Sequence, residues 1–508
     1  MDTTLTRNNP GYLQATLAVM TGVLCSAILL LDIPMKWKLT LLLAFGFAFL
    51  LLMVRDGKRV LLFMLAFSIP LYIGKDFIAR PEHIGLVRVV GVYLTDALVI
   101  ALLFLYLSRL TVGQARLRLY PWVTLPALFW LAASGYTLVN ARETGLVAIQ
   151  LIAMSKLFVC YLVVANSVED KEDVKWIVRG LLLGLLFQGI LGSYQGVVGR
   201  PLGLSTLGET EDIDQMMIGQ NLAHRPRGTV GHPNCYAMYL VTVIPFGLAM
   251  MFTRVKALWK VLIAAVIFIS VLGLIFSLSR GGWISLVVVT CVVLAAAIRK
   301  RRIEGRTVFI VTLSILFLLL TLFFIGSDTI MSRFTSSDQG SALSRITMAQ
   351  GALAMIQDYP LTGVGLNNYS LFMPGYDWAT VLGHGGPVVV HNIYLLIAAE
   401  TGLIGLIGFT VFLVALLRCA WRIADRASND IFWTAGVGIL SALISLILHG
   451  MVDFALLWDI TLFTQFWFIA GVAVGLSDQR TTHDEPDETP LRNRLSPSLS
   501  RQIGLKYR

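Results

Sequence analysis

The sequence predicts an all-α fold: a polytopic transmembrane helix bundle of 12–14 spans, with a large outer-face loop carrying short amphipathic helices. Three observations carry this. The chain is 56% hydrophobic and 14% charged, whereas a soluble domain is about half apolar and about a quarter charged. The apolar residues fall in runs close to the roughly 20 residues that cross a bilayer. The Lys and Arg residues crowd into alternate connections between those runs, as they do when they are retained on the cytoplasmic side.

In order, the apolar runs lie at about 11–31, 39–54, 60–73, 90–107, 121–139, 148–167, 176–199, 233–253, 257–278, 283–298, 307–326, 391–417, 431–452 and 459–476. The two shortest, 39–54 and 60–73, fall below the usual spanning length and read as re-entrant or tilted segments. A second run follows the long first one without a small-residue cleavage site, so no cleaved signal peptide is expected. The five cysteines are scattered without a CxxC pair, which indicates neither a disulfide framework nor a zinc site.

Orientation follows from "RDGKR", "RLTVGQARLRLY", "RVKALWK" and "RKRRIEGR", which all fall on one face when the N-terminus is inside. The chain then divides into a cytoplasmic start (1–10), amino-terminal spans (11–199), an outer loop (200–232), spans carrying arginine motifs (233–326), a large outer loop (327–390), carboxy-terminal spans (391–476) and a polar cytoplasmic tail (477–508). The formal charge of +10 is mostly positive-inside signal plus tail. Dispersed over one membrane face, it does not indicate nucleic-acid binding.

Three polar stretches share the outer face. "HRPRGTVGHPN" leads into the span near 233, "SLSRGGW" joins two spans in a few residues, and "HNIYLL" opens a span at His391. Each has a bland reading. Arginines at helix ends snorkel to lipid phosphates, the SRGG turn suits a tight hairpin whose glycines accept positive φ, and a histidine at a helix start suits a cap. Together, Arg227, Arg280 and His391 can converge on one site. A planar guanidinium binds phosphate oxygens in bidentate fashion, glycine turns expose N–H groups to an anion, and a histidine abstracts protons near neutral pH. An anion clamp beside a base suggests group transfer from a lipid-diphosphate donor.

"RGTVGHPN", "SLSRGGW", "RITMAQGALAMIQDYPLTGVGLNNY", "HNIYLLIAAETGLIGLIGF" and "HGMVDFALLWD", over about residues 220–475, resemble the successive signatures of the O-antigen ligase and O-antigen polymerase superfamily. The resemblance implies a multi-pass enzyme of the bacterial inner membrane, with cytoplasmic termini and a periplasmic active site. Its donor would be an undecaprenyl-diphosphate-linked glycan, and its acceptor a lipid-A-core, a glycan or a protein. By the family's pattern Arg227 and Arg280 hold the diphosphate, His391 activates the acceptor hydroxyl, and transfer inverts the anomeric carbon without metal or cofactor.

Further residues are accessory candidates. Within the large loop, Ile346, Ala349, Leu353 and Ile356 recur at helical spacing, predicting an amphipathic helix over 344–358 that rests on the membrane. Tyr359-Pro360 would end it. Arg345, near its start, is either a third phosphate ligand or a surface charge. Lys156 lies within a predicted span, a functional candidate unless it snorkels outward. Glu400 lies nine residues into its helix, where a buried cation is the expected partner. Asp453 falls in the last signature stretch. His232 and His384 are the other outer-side histidines able to act as the base. Asp212 and Asp214 form a DxD pair of the spacing that binds divalent cations in many glycosyltransferases, although here it lies in a polar loop. A lipid-linked-sugar flippase is the rival reading. It should show repeated halves and charged or broken helices near the midplane, whereas the polar residues here gather at one face.

Overall fold

The computed structural model describes residues 56–302 (apart from 81, 219 and 220), 339–377, 388–427 and 429–478, with four residues near the N-terminus. After a short helix α1 (Gly57–Ser68) and a hairpin of β1 (Gly74–Ala79) and β2 (Val89–Tyr93), four long helices follow: α2 (Leu94–Thr111), α3 (Pro121–Tyr136), α4 (Thr144–Ser167) and α5 (Lys171–Val198). A second hairpin, β3 (Asp214–Ile218) and β4 (Asn221–Arg225), precedes α6 (Pro233–Met251), α7 (Ala257–Phe276) and α8 (Arg280–Arg299). Then come α9 (Gln339–Asp358), the single turn α10 (Tyr369–Phe372), α11 (Ile393–Arg426), α12 (Asp430–Gly450), the turn α13 (Ala455–Trp458) and α14 (Ile460–Asp478).

Among the described residues, ten helices are long and apolar enough to cross a membrane, so the fold is an all-α polytopic bundle. They coincide with ten of the predicted runs. The run at 60–73 overlaps α1, a helix of 12 residues that is too short to span alone. The runs at 11–31, 39–54 and 307–326 lie outside the described residues. The two antiparallel hairpins were not expected; both lie in polar connections, where they pair their own backbone groups.

Helix α6 is apolar all round, and nearly every one of its side chains is buried, so it occupies the bundle centre. Trp130 of α3, Tyr161 of α4, Phe412 of α11 and Trp467 of α14 pack ring against ring, with Phe412 and Trp467 centroids 5.2 Å apart. Helices α7 and α8 instead expose Leu258, Val261, Phe268, Ile284 and Val287, an outward apolar surface suited to lipid.

Contacts between connections gather at the two ends of the bundle. At one end Lys58 pairs with Glu169 and Asp173 at 2.7 Å, and Arg299 with Asp425 at 2.8 Å. At the other, predicted outer, end the turn after α9 is strapped to the connections of the amino-terminal half. Asn367 meets His83 at 3.0 Å, and Asn368 accepts from the Glu143 N–H at 2.9 Å.

Helix α9 begins five residues before the predicted start, and part of the predicted apolar stripe faces outward. Met348, Ala352 and Met355 are buried while Ile346 and Leu353 are exposed. The chain after α9 docks into a break in α11. Gly402 has φ +67° inside that helix, Leu403 N–H donates to Pro360 C=O at 2.8 Å, and Val364 N–H to Ala399 C=O at 2.8 Å. A Cβ at Gly402 would lie 2.1 Å from the Leu361 carbonyl oxygen, so glycine is required both for φ and for space.

Candidate functional site

The β3–β4 hairpin ends at Arg225, and its position is over-determined. The guanidinium donates to Ser277 C=O at 2.9 Å, Asp214 at 3.1 Å and Asn234 Oδ1 at 3.1 Å, and the residue is buried. One side chain thus joins the hairpin, the first turn of α6 and the turn between α7 and α8. Two residues on, Arg227 is half-buried and donates to the other oxygen of Asp214 at 3.3 Å. Its buried Nε meets no hydrogen-bond partner among the described residues.

Ser277 opens the SLSRGGW turn. Leu278 takes φ +54°, Ser279 caps α8 by accepting from Gly282 N–H at 3.4 Å, and Arg280 is the first helical residue. Arginine there adds positive charge to the positive end of the helix dipole, an arrangement an arriving anion relieves. Next to it, a Cβ on Gly281 would approach the His449 ring to 3.1 Å.

The two histidines differ in role. His232 is itself the N-cap of α6: its Nδ1 accepts from Asn234 N–H at 3.2 Å. Burial depresses its pKa, the nearby Asp453 carboxylate opposing in part. His391 precedes the cap of its helix. Asn392 performs that task, accepting from Tyr394 and Leu395 N–H at 3.0 Å and donating to Met451 C=O at 3.1 Å. The His391 ring lies edge-on to Phe454, centroids 5.4 Å apart, and His232 stands likewise against Trp458 at 5.8 Å. Between these contacts, Asp453 accepts from Asn234 Nδ2 at 3.1 Å. The 451–458 connection therefore links His391 to the His232, Asn234 and Arg225 cluster, and Arg225 links that cluster to the turn bearing Arg280.

Residues 265–410 match the family model described as O-antigen ligase. That stretch is similar to the O-antigen ligase family. The match covers less than half of the chain and supports membrane glycan transfer in general. No curated protein matches the chain. The match is shorter than the stretch of resemblance: Arg280, Arg345, His391 and Glu400 lie inside the matched residues, while Arg227 and Asp453 lie outside them.

The remaining candidates are placed differently. Glu400, in the matched stretch, is buried, and it accepts from Tyr369 N–H at 3.1 Å; its partner is the backbone of the docked turn rather than a cation. Lys156 pairs with Asp96 at 2.9 Å, donates to Gly91 C=O and lies over the Tyr93 ring, contacts that bind α4 to the start of α2. Arg345 is exposed on α9. Of the DxD pair, Asp212 is exposed and Asp214 gives its two oxygens to Arg225 and Arg227, which leaves that carboxylate engaged by arginine. His384 lies outside the described residues. Sequence reasoning passed over Arg225, Asn234 and His449. The first two stand inside the quoted HRPRGTVGHPN stretch, but nothing in it tells an inward arginine from a half-buried one.

Proposed function

We propose that the protein is a glycosyltransferase that moves a glycan from an undecaprenyl-diphosphate-linked donor to an acceptor hydroxyl at the periplasmic face of the bacterial inner membrane. The observation that carries this reading is the contact network joining His391, through Phe454, Asp453, Asn234 and Arg225, to Arg227 and the Arg280 turn. In this mechanism Arg227 and Arg280 hold the diphosphate. His391 takes the acceptor proton as the oxygen attacks the anomeric carbon from the opposite side, inverting it. The bond from that carbon to the diphosphate breaks, and the lipid diphosphate leaves with its charge held by the arginines. Two guanidinium groups neutralise a leaving diphosphate without requiring a metal.

Ligase and polymerase share these steps and differ in the acceptor. The test is to incubate the purified protein with a lipid-linked repeat, with and without a lipid-A-core acceptor. Transfer to the core identifies a ligase, and lengthening of the lipid-linked chain identifies a polymerase. Neither product from folded protein would overturn the glycosyltransferase reading.

A further inference from the structure

The turn that carries Arg227 is shaped from below by a helix outside the matched domain. Gln188 and Gln195, two turns apart on one face of α5, are both fully buried. Gln195 Oε1 accepts from the N–H groups of Arg227 at 3.1 Å and Gly228 at 2.9 Å. Its Nε2 donates to Glu209 at 2.8 Å. Glu209 in turn accepts from Leu202 and Leu204 N–H at 2.8 and 2.7 Å, so the glutamine is oriented with its oxygen towards the arginine turn. Gln188 performs the same service one residue further on, accepting from Thr229 N–H at 3.2 Å and donating to its hydroxyl at 2.6 Å. Gly228 has φ +57°, and a Cβ there would lie 2.1 Å from Gln188 Oε1, so the turn fits only glycine against this pair.

We infer that Gln195 is a positioning residue of the diphosphate site: it fixes the backbone of Arg227, and through it the direction in which the guanidinium meets the donor. The inference rests on the reading of Arg227 as a diphosphate ligand. A buried glutamine with both ends satisfied holds one orientation, because turning the amide over would set its NH2 group against two N–H donors. The side chain of Arg227 thus starts from a fixed point, while its outer atoms remain half-buried at the predicted outer end.

The test measures binding of undecaprenyl diphosphate, without sugar, to full-length protein in nanodiscs. Gln195→Met keeps the volume and removes the amide hydrogen bonds; it is expected to weaken binding roughly tenfold and leave the acceptor KM unchanged. In an Arg227→Ala background the same change should add nothing, because Gln195 acts through that arginine. Gln195→Glu faces Glu209 with a second carboxylate and should weaken binding, and adding Glu209→Gln should restore most of it. The exchange also decides the matter if the methionine variant does not fold. Equal weakening in both arginine backgrounds, or an exchange that restores nothing, would overturn the inference alone. Normal binding by Arg227→Ala would overturn the diphosphate reading and the inference with it.

Discussion

Asp453 accepts a hydrogen bond from Asn234 Nδ2 at 3.1 Å, across 219 residues of sequence. The contact ties the connection that packs on His391 to the first turn of α6, where Asn234 also receives Arg225. Asn234→Ala removes both contacts. Interhelical hydrogen bonds in membranes average about 0.6 kcal/mol each, so the variant should lose roughly 1 kcal/mol of stability in denaturant titration. Its loss of transfer should be larger than that figure implies. A variant equally destabilised but fully active would show that the network does not align the site.

Arg280→Lys keeps the charge but not the planar fork, and lysine binds phosphate as a point charge. Its turn is short and capped by Ser279, so the backbone cannot shift to compensate. Donor KM should rise about tenfold or more in steady-state kinetics. Wild-type values would reduce Arg280 to a helix anchor.

Glu400 serves the backbone of the docked turn, so an uncharged acceptor of the same shape should replace it. Glu400→Gln is expected to retain stability and transfer. Glu400→Leu strands the Tyr369 N–H and should cost about 1–3 kcal/mol. Loss of function in the glutamine variant at full stability would point to a charge-dependent role.

His232 titrates in the unfolded chain near pH 6.5, and burial holds its folded value lower. The folded state therefore resists the proton, and stability present above pH 6.5 is lost as pH falls through that value. Protonation also removes the Nδ1 acceptor that caps α6. Melting temperature should fall from pH 8 to pH 5.5 in the wild type and less in His232→Asn, whose side chain caps at either pH. Parallel curves for the two proteins would assign the acid loss elsewhere.

Much of this was legible in the sequence because bilayer physics leaves few options: apolar runs became helices, and loops of alternate charge met at opposite ends. The signature residues Arg280 and His391 stand out by spacing beside glycine turns and helix starts. Arg225 does not, since its burial depends on Asp214, Ser277 and Asn234 arriving together. Glu400 was misread because its partner is a backbone amide 31 residues earlier, and a sequence carries no mark of a backbone contact.

The most direct test of the mechanism is single-turnover transfer by His391→Ala, with donor binding measured on the same protein and His232→Asn and His384→Ala as companions. Asn392 caps the helix, so the alanine protein should fold and bind undecaprenyl-diphosphate-linked donor almost normally. A general base contributes ~10²–10⁴ in rate, and the loss of transfer should fall in that range. Normal turnover by folded His391→Ala, with loss in either companion, would contradict the account and move the base to another histidine.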